Sequence, residues 1–503
     1  MVTRIPSATL VGVEARSVDV EVHVARGLPS MTIVGLPDAA VREARERVRA
    51  ALLSSGFDVP RARILVNLAP ADLRKEGPAL DLPIALALLA ADGRLPLESA
   101  GATLAVGELA LDGSLRSLRG AVAIGLLAVQ RRVARVLLPT PDAPAVHALD
   151  GPIVLPVASL ADAVALLRGR SAPAFVGSRP AATPDPPPLD LRDVRGQPTA
   201  RLGLEIAAAG GHALLMTGPP GSGKTMLARR LPGLLPDLDR EARIEVTRIH
   251  SAAGEPLAGG SDGLLRRPPF RAPHHATSRV ALLGGGRHPR PGEVSLAHRG
   301  VLFLDELPEF ARATLEALRQ PLEEGVVTIE RHAARMRLPA AFQLVAARNP
   351  CPCGAYGDPR GTCRCRESER HRYHARLSGP ILDRIDLHVA VPLLTPEELA
   401  GGDGEASSDV AARVLGARGR ALARQRTSNA RLDDAQLAPA CALDAQDRAR
   451  AARMAGELGL SARGHARLLR VARTVADLAG VERVGPDQLA VAATFRSPAR
   501  RPP

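Results

Sequence analysis

Leu215-Met216-Thr217-Gly218-Pro219-Pro220-Gly221-Ser222-Gly223-Lys224-Thr225 decides how this chain is read. Just before the loop, Ala213 to Met216 form a short apolar run that suits a buried strand; after it, Met226-Leu227-Ala228-Arg229-Arg230-Leu231 open a helix. Between them stands G-x-x-x-x-G-K-T, and each residue type in it has a physical reason. The glycines let the backbone curl with its N–H groups turned inward, where phosphate oxygens can collect them. Lys224 brings a compact charge to the β- and γ-phosphates, Thr225 offers a hydroxyl to Mg²⁺, and the helix N-terminus adds its positive dipole end. Of the chain's 66 basic residues only Lys75 and Lys224 are lysine. A composition that turned nearly every other cation into arginine kept an ammonium where a planar guanidinium fits poorly. A plain glycine-rich turn is the competing reading, and the order strand, loop, helix argues against it. The stretch therefore predicts a site for ATP and Mg²⁺.

Composition sets wider bounds. A length of 503 residues allows about three domains. The chain is 46% hydrophobic but only 2% aromatic, so its cores must be aliphatic. A net charge of +13 favours polyanionic partners, although an arginine-rich, lysine-poor makeup also fits a compositional bias of the genome. No run of about 18 apolar residues occurs, and the N-terminus lacks the basic-then-apolar pattern of a signal peptide. The expectation is a cytoplasmic protein away from the membrane, whose five cysteines stay reduced unless a metal holds them.

The order of elements outlines the rest. Val11 to Val24 alternates from Val18 onward like a half-buried strand, and Met31 to Val34 and Ile64 to Leu68 are strand-like. A helix capped by Asp38 runs to Leu53 and stops at Gly56, and Leu82 to Ala91 reads as an apolar helix. Residues 171–190 are proline-rich and read as a linker. About eighty residues after the phosphate loop, Val301-Leu302-Phe303-Leu304 leads into Asp305-Glu306. Such a run suits a parallel strand buried on both faces, which delivers its acids beside the loop. Asp305 then serves the Mg²⁺ and Glu306 the attacking water. A third strand, Phe342 to Ala347, brings Asn349 to orient that water, and Arg384 is placed to reach a neighbouring subunit's nucleotide.

Cys351-x-Cys353 and Cys363-x-Cys365 put four thiols within fifteen residues, with glycines between them to allow the turns. Four thiolates so placed suit Zn²⁺; the alternative is free or redox thiols. His274 and His275 invite a metal reading too, but in an extended segment neighbouring side chains point to opposite faces, which leaves structural or loop-positioning roles.

Two resemblances extend this reading. Arg74-Lys75-Glu76-Gly77-Pro78-Ala79-Leu80-Asp81, with Gly107-Glu108-Leu109 through Gly120, resembles the proteolytic domain of the Lon family. There a serine follows Gly-Pro and a lysine follows the second motif; here Ala79 and Val122 stand in those places, so the resemblance implies the fold without the serine–lysine dyad. The whole chain is similar to Mg-chelatase-like AAA+ ATPases of the YifB/ComM type. The stretches that carry this are Arg271-Ala-Pro-His-His275, Gly292-Glu293 through Gly300, Asn349-Pro-Cys-Pro-Cys-Gly354 and Leu377 through Leu387. The resemblance implies an α/β multidomain protein: a Lon-like α+β domain over 1–170, an AAA+ core with a parallel sheet over 191–394 carrying the cysteine loop 351–365, and a helical C-terminal domain over 395–503. It also implies adenine held at the turn containing Gln197, Arg384 as an arginine finger, and Arg463 as a second sensor, with Arg467 and Arg470 as rivals on the same helix. The ComM branch implies a hexameric ring acting as a helicase on single-stranded or branched DNA during natural transformation. Val326 to Ile329 and Arg335 to Leu338 have the makings of a hairpin, which such rings place in the pore together with an insert around Leu282 to Arg287. Arg331, Arg335 and Arg337 would then face phosphates, unless the hairpin is only a solvated basic edge. A metal-insertion motor and an ATP-dependent chaperone-like remodeller are the rival functions.

Overall fold

The computed structural model describes residues 2–169, 189–257, 260, 262–286, 289–331, 334–357 and 361–496. Most of the expected linker, 171–190, lies outside them. The chain forms two compact units. One comprises Met1–Asp185, Asp239–Arg266 and Arg287–Pro291; the other comprises Pro186–Leu238, Arg267–Gly286 and Gly292–Pro503.

In the first unit a four-stranded sheet runs Val2–Val11, Glu14–Ala25, Arg63–Ala69, Ser30–Val34. Alternation in Glu14–Ala25 buries Val18, Val20 and Val22 and leaves Asp19 and Glu21 at the surface side. Val2–Val11 pairs antiparallel with it although it contains Pro6; an edge position tolerates the missing donor, and that proline is why no strand is expected there from the sequence. Asp38 caps the helix Ala39–Ser54 through Val41 N at 2.8 Å, as expected. The helix Asp81–Ala91 is buried almost throughout, which accounts for its lack of a polar face. A second sheet, parallel throughout, joins Thr103–Ala105, Arg135–Pro139 and Ile153–Val157. Ala79 and Val122 both lie in apolar clusters. Lys75, the other lysine, is fully buried and donates to Pro70 O. The helix Arg240–Ala253, capped by Asp239, packs in this unit against Ala121–Gln130. Within the stretch 191–394, the segments Asp239–Arg266 and Arg287–Pro291 thus group with the first unit.

The second unit is built on a five-stranded parallel sheet in the order Phe270–Arg271, Val301–Leu304, Gln343–Arg348, Leu214–Thr217, Leu387–Ala390. All four residues of Val301–Leu304 are buried, each burial of this kind worth roughly 1.5–3 kcal/mol. The strand order reverses at Leu214–Thr217, and parallel sheets bind ligands at the carboxyl ends of strands beside such a switch. From Pro396 onward the regular elements among the described residues are all helical. These helices share one apolar cluster with the sheet: Phe303, Val345 and Val389 belong to it together with Val410, Leu468, Val471 and Phe495.

A buried polar network ties the same parts together. His212, fully buried before the Leu214–Thr217 strand, has Nδ1 3.2 Å from Asp386 and Nε2 2.7 Å from Thr474 Oγ1. Arg467 donates to Asp386 at 2.7 Å. Burial pushes the Asp386 carboxyl up, but its bond to His212 and the charges of His212 and Arg467 outweigh this and hold it at about 2.

Candidate functional site

The phosphate loop leaves the Leu214–Thr217 strand and turns through Gly221 and Gly223 at φ 77° and 92°, where a side chain would be strained. Gly218 serves a different need: a Cβ there would lie 2.0 Å from Val391 O, so the loop can pass only as glycine. Gly223 precedes the short helix Lys224–Ala228. Lys224 Nζ donates to Gly218 O and Pro219 O, both at 2.8 Å, and lies 3.3 Å from Asn349 Oδ1. Its burial lowers the ammonium pKa, while Asp305 and Glu306 raise it.

Two residues eighty positions apart meet here. Thr225 Oγ1 donates to Asp305 Oδ2 at 2.7 Å. Asp305 Oδ1 accepts from Glu306 N at 2.9 Å, and Glu306 stands at φ 51°, a conformation non-glycine residues rarely hold. The structure thus brings Lys224, Thr225, Asp305, Glu306 and Asn349 together at the carboxyl ends of three neighbouring strands. Hydroxyl plus carboxylate is a donor set that fits Mg²⁺. Gln197 is also present: it sits buried at φ 56° before the helix Pro198–Gly210 and donates to Pro392 O at 2.6 Å, with Ser222 O at 3.4 Å.

One contact was not foreseen. His275 Nδ1 lies 3.1 Å from Glu306 Oε2. The rings of His274 and His275 are 4.0 Å apart, because the chain turns at His275 and the extended backbone assumed from the sequence is absent. Among the described residues only the cysteines group as a metal site would. Local sequence gave no signal for the histidine–glutamate contact. Arg271, four residues earlier, pairs with Glu293 through two bonds of 2.6 and 2.9 Å, joining two of the motif stretches.

The cysteine loop lies between Gln343–Arg348 and the helix Glu367–Ala375. The Sγ atom of Cys351 is 3.4 Å from that of Cys353 and 3.7 Å from that of Cys363, and those of Cys353 and Cys363 are 3.7 Å apart. With Cys365, all four sulfurs lie within 4.8 Å of one another. Tetrahedral Zn²⁺ with bonds of about 2.3 Å needs sulfurs about 3.8 Å apart, so the set fits. Burial pushes the Cys351 thiol up to about 12, whereas the backbone of Ala355 and Arg364 holds Cys353 down at about 6. Cys441, the fifth cysteine, is buried in the apolar cluster shared by the helical region.

Residues 190–399 match the family described as magnesium chelatase, subunit ChlI, residues 20–142 match subunit ChlI of Mg-chelatase, and residues 404–496 match the C-terminal part of that subunit. The chain is 44% identical to the YifB protein of Salmonella typhimurium, over 97% of this chain and 95% of that one. It is 42% identical to competence protein ComM of Haemophilus influenzae, over 98% and 97%. The chain belongs to the YifB/ComM family of magnesium-chelatase-like proteins. A more distant relative, the magnesium-chelatase 38 kDa subunit of Cereibacter sphaeroides, is 27% identical over 61% of this chain and 90% of its own.

Other residues expected in a YifB/ComM nucleotide site have the following surroundings. Arg384 is 8% exposed, pairs with Glu323 and donates to Pro380 O at 2.5 Å. Arg463 is exposed on the first turn of the helix Ala462–Ala479, whereas Arg467 is engaged with Asp386 and Arg470 with Leu432 O and Asp434. The hairpin exists, Val326–Arg331 pairing antiparallel with Ala334–Pro339. Arg337 on it is exposed; the side chains of Arg331 and Arg335 lie outside the described residues. Leu282 and Leu283 are buried, so the apolar part of the expected insert faces inward.

Proposed function

We propose that this chain hydrolyses ATP and works as a ring-forming motor on DNA, as a branch-migration helicase in natural transformation. The observation that carries the ATPase is the meeting of Thr225 with Asp305 beside Lys224 and Asn349. In this reading the N–H groups of Gly221 and Gly223 gather phosphate oxygens and Lys224 meets the β/γ charge. Thr225 and Asp305 would hold Mg²⁺, which neutralises charge developing on the phosphates. Glu306 takes the proton of the attacking water while Asn349 orients it; Gln197 lines the base pocket. Arg384 completes a neighbouring subunit's site, which requires a homo-oligomer, six subunits by the family resemblance, and Arg463 contacts the nucleotide from the helical region. Zn²⁺ held by Cys351, Cys353, Cys363 and Cys365 is the proposed second metal. The first unit is proposed to be Lon-like, with apolar side chains where a dyad would stand.

The DNA arm rests on likeness to ComM, whose name attaches that relative to competence, and on a basic hairpin at Val326–Pro339. The magnesium-chelatase names favour a second reading, a motor for metal insertion. Among the described residues no helix is long and apolar enough to cross a membrane. The test is ATPase activity with forked DNA, with porphyrin, or with casein. Glu306→Gln should bind ATP yet turn over roughly a hundredfold more slowly or worse, and Lys224→Ala should lose binding. Stimulation by DNA that fades when Arg331, Arg335 and Arg337 become alanine supports the proposal; stimulation by porphyrin alone replaces it.

A further inference from the structure

The cysteine loop does not merely lie near the phosphate loop; it touches it twice. Asn349 Oδ1, two residues before Cys351, is 3.3 Å from Lys224 Nζ. Gly354, directly after Cys353, stands at φ 80° against Pro220, and a Cβ there would lie 2.4 Å from the proline Cδ. One contact is polar and the other steric, and both reach the loop through the arm that carries Cys351 and Cys353. The far side of this arm is also braced, since the buried Tyr373 meets the backbone of Asn349 through its hydroxyl.

What holds the arm in place is the question. Residues 349–366 contain no regular element among those described, and Cys351 is their only fully buried apolar side chain. A loop of this length without a core of its own calls for another source of order. Bonds from four sulfurs to one ion would tie the arm of Cys351 and Cys353 to that of Cys363 and Cys365, fixing Gly354 against Pro220.

We propose that a metal ion bound by Cys351, Cys353, Cys363 and Cys365, Zn²⁺ by its donor set, is energetically coupled to the phosphate loop through Gly354–Pro220 and Asn349–Lys224, so that metal and ATP each strengthen the other's binding. This rests on both the nucleotide and the zinc readings above. Coupling between two sites is reciprocal: whatever factor the metal contributes to ATP affinity, ATP returns to metal affinity. The loop is thus a device by which metal occupancy sets the nucleotide affinity of the motor.

The full chain is prepared zinc-loaded and, by chelation under reducing conditions, zinc-free. A fluorescent ATP analogue reports affinity, circular dichroism reports folding, and a chromophoric chelator reports the rate of zinc loss. The zinc-free protein should bind the analogue about tenfold more weakly, a typical coupling. Added Zn²⁺ should restore affinity, and ATP should slow zinc loss. Gly354→Ala should keep about one Zn²⁺ per chain yet bind ATP more weakly and lose the effect of ATP on zinc release. Equal ATP affinity with and without zinc in folded protein, together with zinc loss indifferent to ATP, overturns the coupling. Should stripping unfold the chain, Gly354→Ala decides: wild-type ATP affinity in that variant overturns it too. Failure to take up Zn²⁺ rejects the metal site, and failure of the loaded protein to bind ATP rejects the nucleotide site, so the three readings fail separately.

Discussion

Lys224 and Arg384 are equally buried, each 8% exposed, and they keep different company. Lys224 is surrounded by the groups of one site: two loop carbonyls, Asn349, and the nearby acids Asp305 and Glu306. Arg384 is tied to Glu323 and Pro380 O, and its buried Nε has no hydrogen-bond partner. A buried guanidinium with an idle N–H is costly, and nothing around it gathers phosphate. The difference separates a lysine set among the groups of its own site from an arginine which, on the reading proposed above, would serve the site of a neighbouring chain.

The largest effect follows from this contrast. Arg384→Ala should lower ATP turnover by roughly a thousandfold, the low end for an arginine finger. Mixing Arg384→Ala with Lys224→Ala chains should recover part of the activity, because some interfaces then pair an intact loop with an intact arginine. Mixed assemblies that form yet stay inactive would place the work of Arg384 inside its own chain.

A second prediction concerns what holds the Arg384 segment. Two residues on, Asp386 is bound by His212, Ala213 N and Arg467. Asp386→Asn leaves the buried His212 and the half-buried Arg467 facing a neutral amide and should cost about 3–5 kcal/mol in denaturant unfolding. Because the folded carboxyl sits at about 2, below an ordinary value of about 3.9, its contribution is complete above about pH 4 and is lost as pH falls towards 2. The variant should show a flatter stability profile over that window; an unchanged profile would mean the network carries no net stability.

The smallest effect sharpens the Lys224 side. His275 and Glu306 are both partly exposed, and such pairs are worth at most about 1 kcal/mol. His275→Ala should therefore reduce kcat by up to about fivefold with KM unchanged, and His275→Asn should recover part of it. If kcat does not move, the histidine does not position the glutamate.

Much of the site was legible because its parts are local. A glycine loop, a lysine and a threonine occupy eight consecutive residues, and four cysteines within fifteen residues can be gathered by a single loop. Asp305 was legible by a different route: an apolar run ending in acids is common by chance, but not about eighty residues after a phosphate loop. The failures share a cause as well. Pro6 hid an edge strand because the sequence does not say which strands are edges. The helix Arg240–Ala253 carries no mark of the unit it joins.

The sequence by itself determined the chemistry on offer: which residues could bind phosphate, divalent metal and zinc, and that a parallel sheet would carry the first two. Only tertiary structure decided which of these groups act on one another. His275 reaches Glu306, Gly354 rests on Pro220, and His212 locks Asp386 to the helix of Arg467. The reason is physical. A motif's own chemistry is set by covalent neighbours a few ångströms apart, whereas contacts between motifs depend on strand order and on the buried area that fixes it, and no short stretch of chain records either.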